Sequence, residues 1–88
     1  MKIKEGFVLR SVMGNYVVVA VGEASKSFRG MVKLNSTAAD VWQMAEKGCS
    51  EEEMCEALLE KYEVERERVE SDLRAVLKGF EEQGFIER

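Results

Sequence analysis

Gly30-Met31-Val32-Lys33-Leu34-Asn35-Ser36-Thr37-Ala38-Ala39-Asp40-Val41-Trp42 is the stretch on which the fold turns. Its first residues alternate, placing Val32 and Leu34 on one face of a strand and Met31 and Lys33 on the other. Beyond it the apolar positions change period. Ala38, Val41, Trp42 and Ala45 recur at spacings of three and four, the stripe of an amphipathic helix. Asn35 or Ser36 suits the N-cap between the two patterns. The helix is expected to run to about Lys47 and to stop at Gly48.

Towards the N-terminus the sequence reads as strand. Phe7-Val8-Leu9-Arg10-Ser11-Val12 leads into Met13-Gly14-Asn15, a tight-turn signal because Gly and Asn tolerate positive φ. Tyr16-Val17-Val18-Val19-Ala20-Val21 has no polar interruption, which predicts a central strand covered at least in part on both faces. Gly22 to Ser27 is small and polar and reads as a loop. Three strands with short connections imply an antiparallel meander.

Towards the C-terminus the sequence reads as helix. Ser50 with Glu53 matches a capping box. Met54, Ala57, Leu58 and Tyr62 supply the apolar face of the second helix, while Glu51, Glu52 and Glu53 sit where the helix macrodipole favours negative charge. Val64 is expected to anchor the connection. A third helix is predicted from about Arg66 to Gln83, with Val69, Leu73, Val76, Leu77 and Phe80 as its stripe. Gly84 is its C-cap, after which Phe85-Ile86 folds back onto the core. The fold class is therefore α+β, three antiparallel strands followed by three helices (βββααα).

Size and charge bound the function. The 88 residues suit one domain, residues 1–88, with no proline and no linker-like segment. A chain this short has little volume for an enclosed active site. There is no apolar run of about 18 residues, so no membrane span is expected. Met1 to Gly6 lacks the apolar stretch of a signal peptide, and the expected location is the cytoplasm. The net charge of -4 argues against nucleic acid, whose binding rests on neutralising phosphates with Lys and Arg.

The residues for catalysis are missing. The chain contains no histidine. This removes the commonest general base near neutral pH and every Ser-His-Asp or Cys-His arrangement. Cys49 and Cys55 read as reduced thiols, too few ligands for a tetrahedral metal site. The glycines are isolated, so no phosphate-cradling loop is formed. The expectation is a binding module without enzymatic activity, cofactor or metal. Arg66, Arg68, Arg74 and Lys78 cluster on the third helix. They either pair with Glu67, Glu70, Asp72 and Glu81 as near neighbours or meet the acidic side chains of a partner.

Leu34-Asn35-Ser36-Thr37-Ala38 followed by Val41-Trp42 resembles the LN-x-T-(G/A)-x-x-(I/V)-W stretch of PqqD-like proteins. Ser50 to Met54 with Leu58, Tyr62 and Val64 is similar to that family's second helix. Val69-x-x-Asp72-Leu73-x-x-Val76-Leu77-x-x-Phe80 with Gly84-Phe85-Ile86 is similar to its third helix and C-terminal turn. One departure is alanine at Ala38 or Ala39 where many members carry glycine, a change a helix tolerates. The resemblance implies a winged-helix-like domain that recognises the leader segment of a ribosomally made precursor peptide. It implies that the leader adds as a strand to the third strand, in a groove shared with the third helix. It also implies a peptide-modifying partner, often a radical-SAM enzyme.

Strand addition needs an open sheet edge beside an apolar groove, and no catalytic group. Phe28, Arg29, Gly30, Met31, Val32, Lys33 and Leu34 are the expected edge. The expected wall is the flank of the third helix carrying Asp72, Ala75, Val76 and Gly79, where small residues let a peptide backbone approach, with Arg68 as a charge contact. Arg74 and Leu77 lie towards the other flank, and the sequence does not decide between the two. Phe28 either faces the peptide or packs under the loop. Two other readings share the layout. A winged-helix DNA reader would place its third helix in the major groove, against the repulsion of Glu67, Glu70, Asp72, Glu81 and Glu82. An oligomerisation module would pair the open edge with its own copy. The expected state is a monomer or weak homodimer.

Overall fold

The computed structural model describes residues 1–28 and 30–87. The elements run β1 (Lys2–Ile3), β2 (Phe7–Val12), β3 (Asn15–Ala20), α1 (Ala24–Ser27), β4 (Met31–Leu34), α2 (Ser36–Glu46), α3 (Glu51–Lys61), α4 (Arg66–Gln83) and β5 (Ile86–Glu87). The expected βββααα core is present as β2-β3-β4 followed by α2-α3-α4. The sheet is antiparallel, with β3 in the centre. Two features depart from the sequence reading. The segment read as a loop contains the single helical turn α1, and the chain ends pair as β1 with β5.

The caps explain where the helices begin and end. The Asn35 side chain accepts a hydrogen bond from the Ala38 N–H at 2.8 Å, closing the start of α2. At α3 the capping box is complete: Ser50 Oγ accepts from the Glu53 N–H, and the Glu53 carboxylate accepts from the Ser50 N–H. The bond from the Ser50 backbone N–H favours the ionised acid and is the main cause of the lowered Glu53 pKa. Helix α4 ends at Gly84, whose φ of 79° is the left-handed conformation a helix C-cap needs.

The core lies between one face of the sheet and the helices. Val18, Leu34, Val41, Trp42, Met54, Leu58, Leu77, Phe80 and Phe85 are buried there. Trp42 stands edge-on to Phe80 and Phe85, with ring centroids 5.4 and 5.5 Å away, the favoured geometry for the ring quadrupoles. Phe7, Leu9, Tyr16 and Val32 pack against this cluster from the sheet. Two expected core positions are exposed. Ala57 faces solvent because Met54, Cys55 and Leu58 turn the α3 stripe towards Cys55. Val64 is 40% exposed rather than an anchor.

Candidate functional site

The hairpin geometry fixes which backbone groups of β4 are free. Val12 and Asn15 flank the two-residue turn Met13-Gly14, and both turn residues have positive φ, 51° and 81°. That is a type I′ turn, whose flanking pair is hydrogen-bonded. Hydrogen-bonding direction alternates along an antiparallel strand, so Asn15, Val17 and Val19 point their backbone groups at β2. The bond from the Val21 N–H to the Gly6 carbonyl, 2.7 Å, has the same parity. Tyr16 and Val18 therefore point towards β4, where their partners are Leu34 and Val32. The N–H and C=O of Met31 and Lys33 face away from β3. Among the described residues no strand pairs with that side of β4. An edge of this kind is a template for another chain.

Beside the open edge lies an apolar groove of about 190 Å³. Val32 and Leu34 line it from β4, and Ala75, Val76, Gly79 and Phe80 line it from α4. Ala38 and Phe85 contribute behind them, and Gln83 supplies a polar end. The flank of α4 facing β4 is thus the small-residue flank. A Cβ built on Gly79 would meet nothing within 4 Å, so the helix leaves open space at that point. Residues opposite Val32 and Leu34 on an added strand would project to the groove side, since directly paired residues share a face.

The remaining candidate residues fall in three places. Arg68 and Asp72 lie one turn or more along α4, lining a neighbouring hollow of about 160 Å³ with Thr37, Tyr62 and Val64. Their side chains are 3.9 Å apart and largely exposed. Such a pair contributes only a few tenths of a kcal/mol, roughly 0.2–0.5. Met31 and Lys33 lie on the opposite face of the sheet, and Gly30 precedes them. Phe28 packs its ring against Phe7 and Phe85, 5.5 Å from each, the packing alternative of its two readings. Arg29 lies outside the described residues. Ala38, Phe80 and Phe85 line the groove but were read only as core, since an apolar stripe does not distinguish core from groove wall.

The cations of α4 are in part internally paired. Arg66 binds Glu56 at 2.9 Å and lies 3.7 Å from Glu70, and its hydrogen bond to Glu56 is the main cause of its raised pKa. Lys61 binds Asp40 at 2.9 Å, which raises its pKa, and Tyr62 donates to the same carboxylate. Both are contacts between elements of the scaffold. Cys49 and Cys55 are free thiols. Among the described residues no group of His, Cys, Asp or Glu is arranged to hold a metal ion, and no helix is long and apolar enough to cross a membrane.

An α+β, winged-helix-like domain whose β4 edge is unpaired among the described residues and has an apolar, helix-walled groove beside it is the class that fold and site define. The chain belongs to the PqqD family: the family model described as Coenzyme PQQ synthesis protein D (PqqD) matches residues 15–86. Two solved structures are similar over nearly their whole length. TbiB1 in complex with the TbiA(beta) leader peptide matches with a TM-score of 0.82 at 25% identity, covering 99% of this chain and 95% of that one. Lasso peptide synthetase B1 complexed with the leader peptide matches with a TM-score of 0.78 at 24% identity, covering 96% and 93%. No curated protein matches the sequence.

Proposed function

We propose that residues 1–88 form one non-catalytic domain in the cytoplasm. It captures the leader segment of a ribosomally made precursor peptide and presents it to a peptide-modifying enzyme, such as a radical-SAM enzyme. The observation that carries this is the outward-facing backbone of Met31 and Lys33 beside the groove between β4 and α4. Main-chain hydrogen bonds to that edge supply affinity, and alternate side chains entering the groove supply specificity. The leader complexes of TbiB1 and the lasso peptide synthetase B1 support the reading. Phe28 and Gly30 would flank the entry to the edge. Arg68 and Asp72 would meet peptide that continues past Leu34 into the hollow beside Thr37.

Gly79 tests this with two readouts of opposite sign. Gly79→Leu places its Cβ in open groove space, where no atom of the protein lies within 4 Å. It also replaces the poorest non-proline helix former, so folding stability should rise by about 0.5–1 kcal/mol. Affinity for a leader peptide that the parent protein binds should fall about tenfold or more, at least about 1.4 kcal/mol. Thermal melting and calorimetric titration read the two effects. A stabilised variant that binds the leader as well as the parent does would refute the groove assignment.

A further inference from the structure

We infer that Lys33 reads the charge of the added strand on the outer face of the sheet, selecting a leader segment with a carboxylate side chain at the residue paired with Lys33. The inference rests on the edge-binding reading and deepens it, because it concerns the side chains that point away from the groove.

The register builds that outer face in rows. Arg10 pairs with Val17 and Val17 with Lys33, so one row runs Arg10-Val17-Lys33 across the three strands. The next row is Val8-Val19-Met31. None of these six residues belongs to the core cluster beneath the sheet. Met31 is 66% exposed, and Lys33 is exposed beside it. The strands β2, β3 and β4 contain no Asp or Glu, although the chain has 17 of them and a net charge of -4. Among the described residues neither Arg10 nor Lys33 has an ion-pair partner.

A strand added to β4 extends each row by one position. The residue next to Lys33 lies one strand spacing away, roughly 4.8 Å, whereas Arg10 lies three spacings away, roughly 14 Å. The screening length at physiological salt is about 8 Å, so Lys33 dominates at that position and Arg10 contributes little. Opposite charges in directly paired cross-strand positions attract, and like charges repel. The position two residues away extends the row of Val8, Val19 and Met31 and favours an apolar side chain. The selected segment is therefore apolar where it faces the groove, and acidic then apolar at its two outward positions.

Two short synthetic peptides test this, one alternating leucine with glutamate and the other leucine with lysine. Each is titrated to millimolar concentration while the amide signals of Met31 and Lys33 are followed. The protein's overall negative charge favours the lysine peptide. The local row predicts the reverse, a preference for the glutamate peptide of roughly three- to tenfold. Lys33→Glu should invert that preference. Arg10→Glu changes the net charge equally and should leave it in place. Equal affinities for the two peptides, or the same response from both variants, would overturn the inference while leaving edge binding intact. If neither peptide moves the two amide signals, the edge reading fails and the inference fails with it.

Discussion

Trp42→Ala is expected to cost about 3–5 kcal/mol of folding stability, the range for truncating a large aromatic in a packed core. Trp42 is fully buried and stands edge-on to Phe80 and Phe85, which come from the end of α4 and the turn after it. Its loss opens a cavity where α2, α4 and the C-terminal turn meet. Those two rings form part of the groove wall, so the variant should weaken leader binding as well as stability. Natural domains are stable by only about 5–15 kcal/mol, and one this small sits towards the lower end, so a large unfolded fraction is expected at moderate temperature. Urea unfolding followed by circular dichroism is the measurement, because the variant lacks the chain's only tryptophan. A shift of the midpoint at unchanged slope identifies a loss of stability. Trp42→Phe keeps a ring and removes an indole N–H that finds no partner among the described residues, and it should cost much less.

A pair of proline substitutions on adjacent residues of β4 should separate folding from binding. The Lys33 N–H points to the open edge, so Lys33→Pro removes a donor that the folded monomer does not use. Proline is tolerated on an edge strand in this orientation. Stability should change little, while the leader loses one main-chain hydrogen bond and meets the proline ring. We expect an affinity loss of about tenfold or more relative to Lys33→Ala, which controls for the missing charge. Val32 faces β3 instead. Val32→Pro leaves the carbonyl of Val18 unpaired in the core, at a cost of about 1–3 kcal/mol. Melting curves and titrations of the two variants check both halves. A stable Val32→Pro with impaired binding, beside a destabilised Lys33→Pro, would mean that the strand parity is reversed.

Much of this architecture was legible because local signals agreed with the global fold. The change of period at Asn35 marked the junction of β4 and α2, and Asn35 is the cap. The Ser50–Glu53 pair, the Arg66–Gln83 stripe and Gly84 each marked a boundary. The pairing of β1 with β5 was not legible, since a two-residue strand has no period of its own and depends on the chain ends meeting. The turn Ala24–Ser27 was hidden by a composition common to loops. At the site, the alternation of Met31 to Leu34 identified a strand with two unlike faces. The direction of its amides came only from counting along the hairpin from Met13-Gly14. The flank of α4 that faces β4 could not be read from a helical wheel, because Ala75 and Gly79 carry no hydrophobic signal. Phe80 and Phe85 serve core and groove at once, and periodicity records only the first role.

Amide hydrogen exchange along β4 reads which of its backbone groups are left free by the folded monomer. In the free monomer the Val32 and Leu34 amides should be protected by β3, while those of Met31 and Lys33 exchange quickly. With bound leader peptide, Met31 and Lys33 should become protected and Val32 and Leu34 should change little. Slow exchange at Met31 and Lys33 in the free monomer, or no added protection in the saturated complex, would contradict the account.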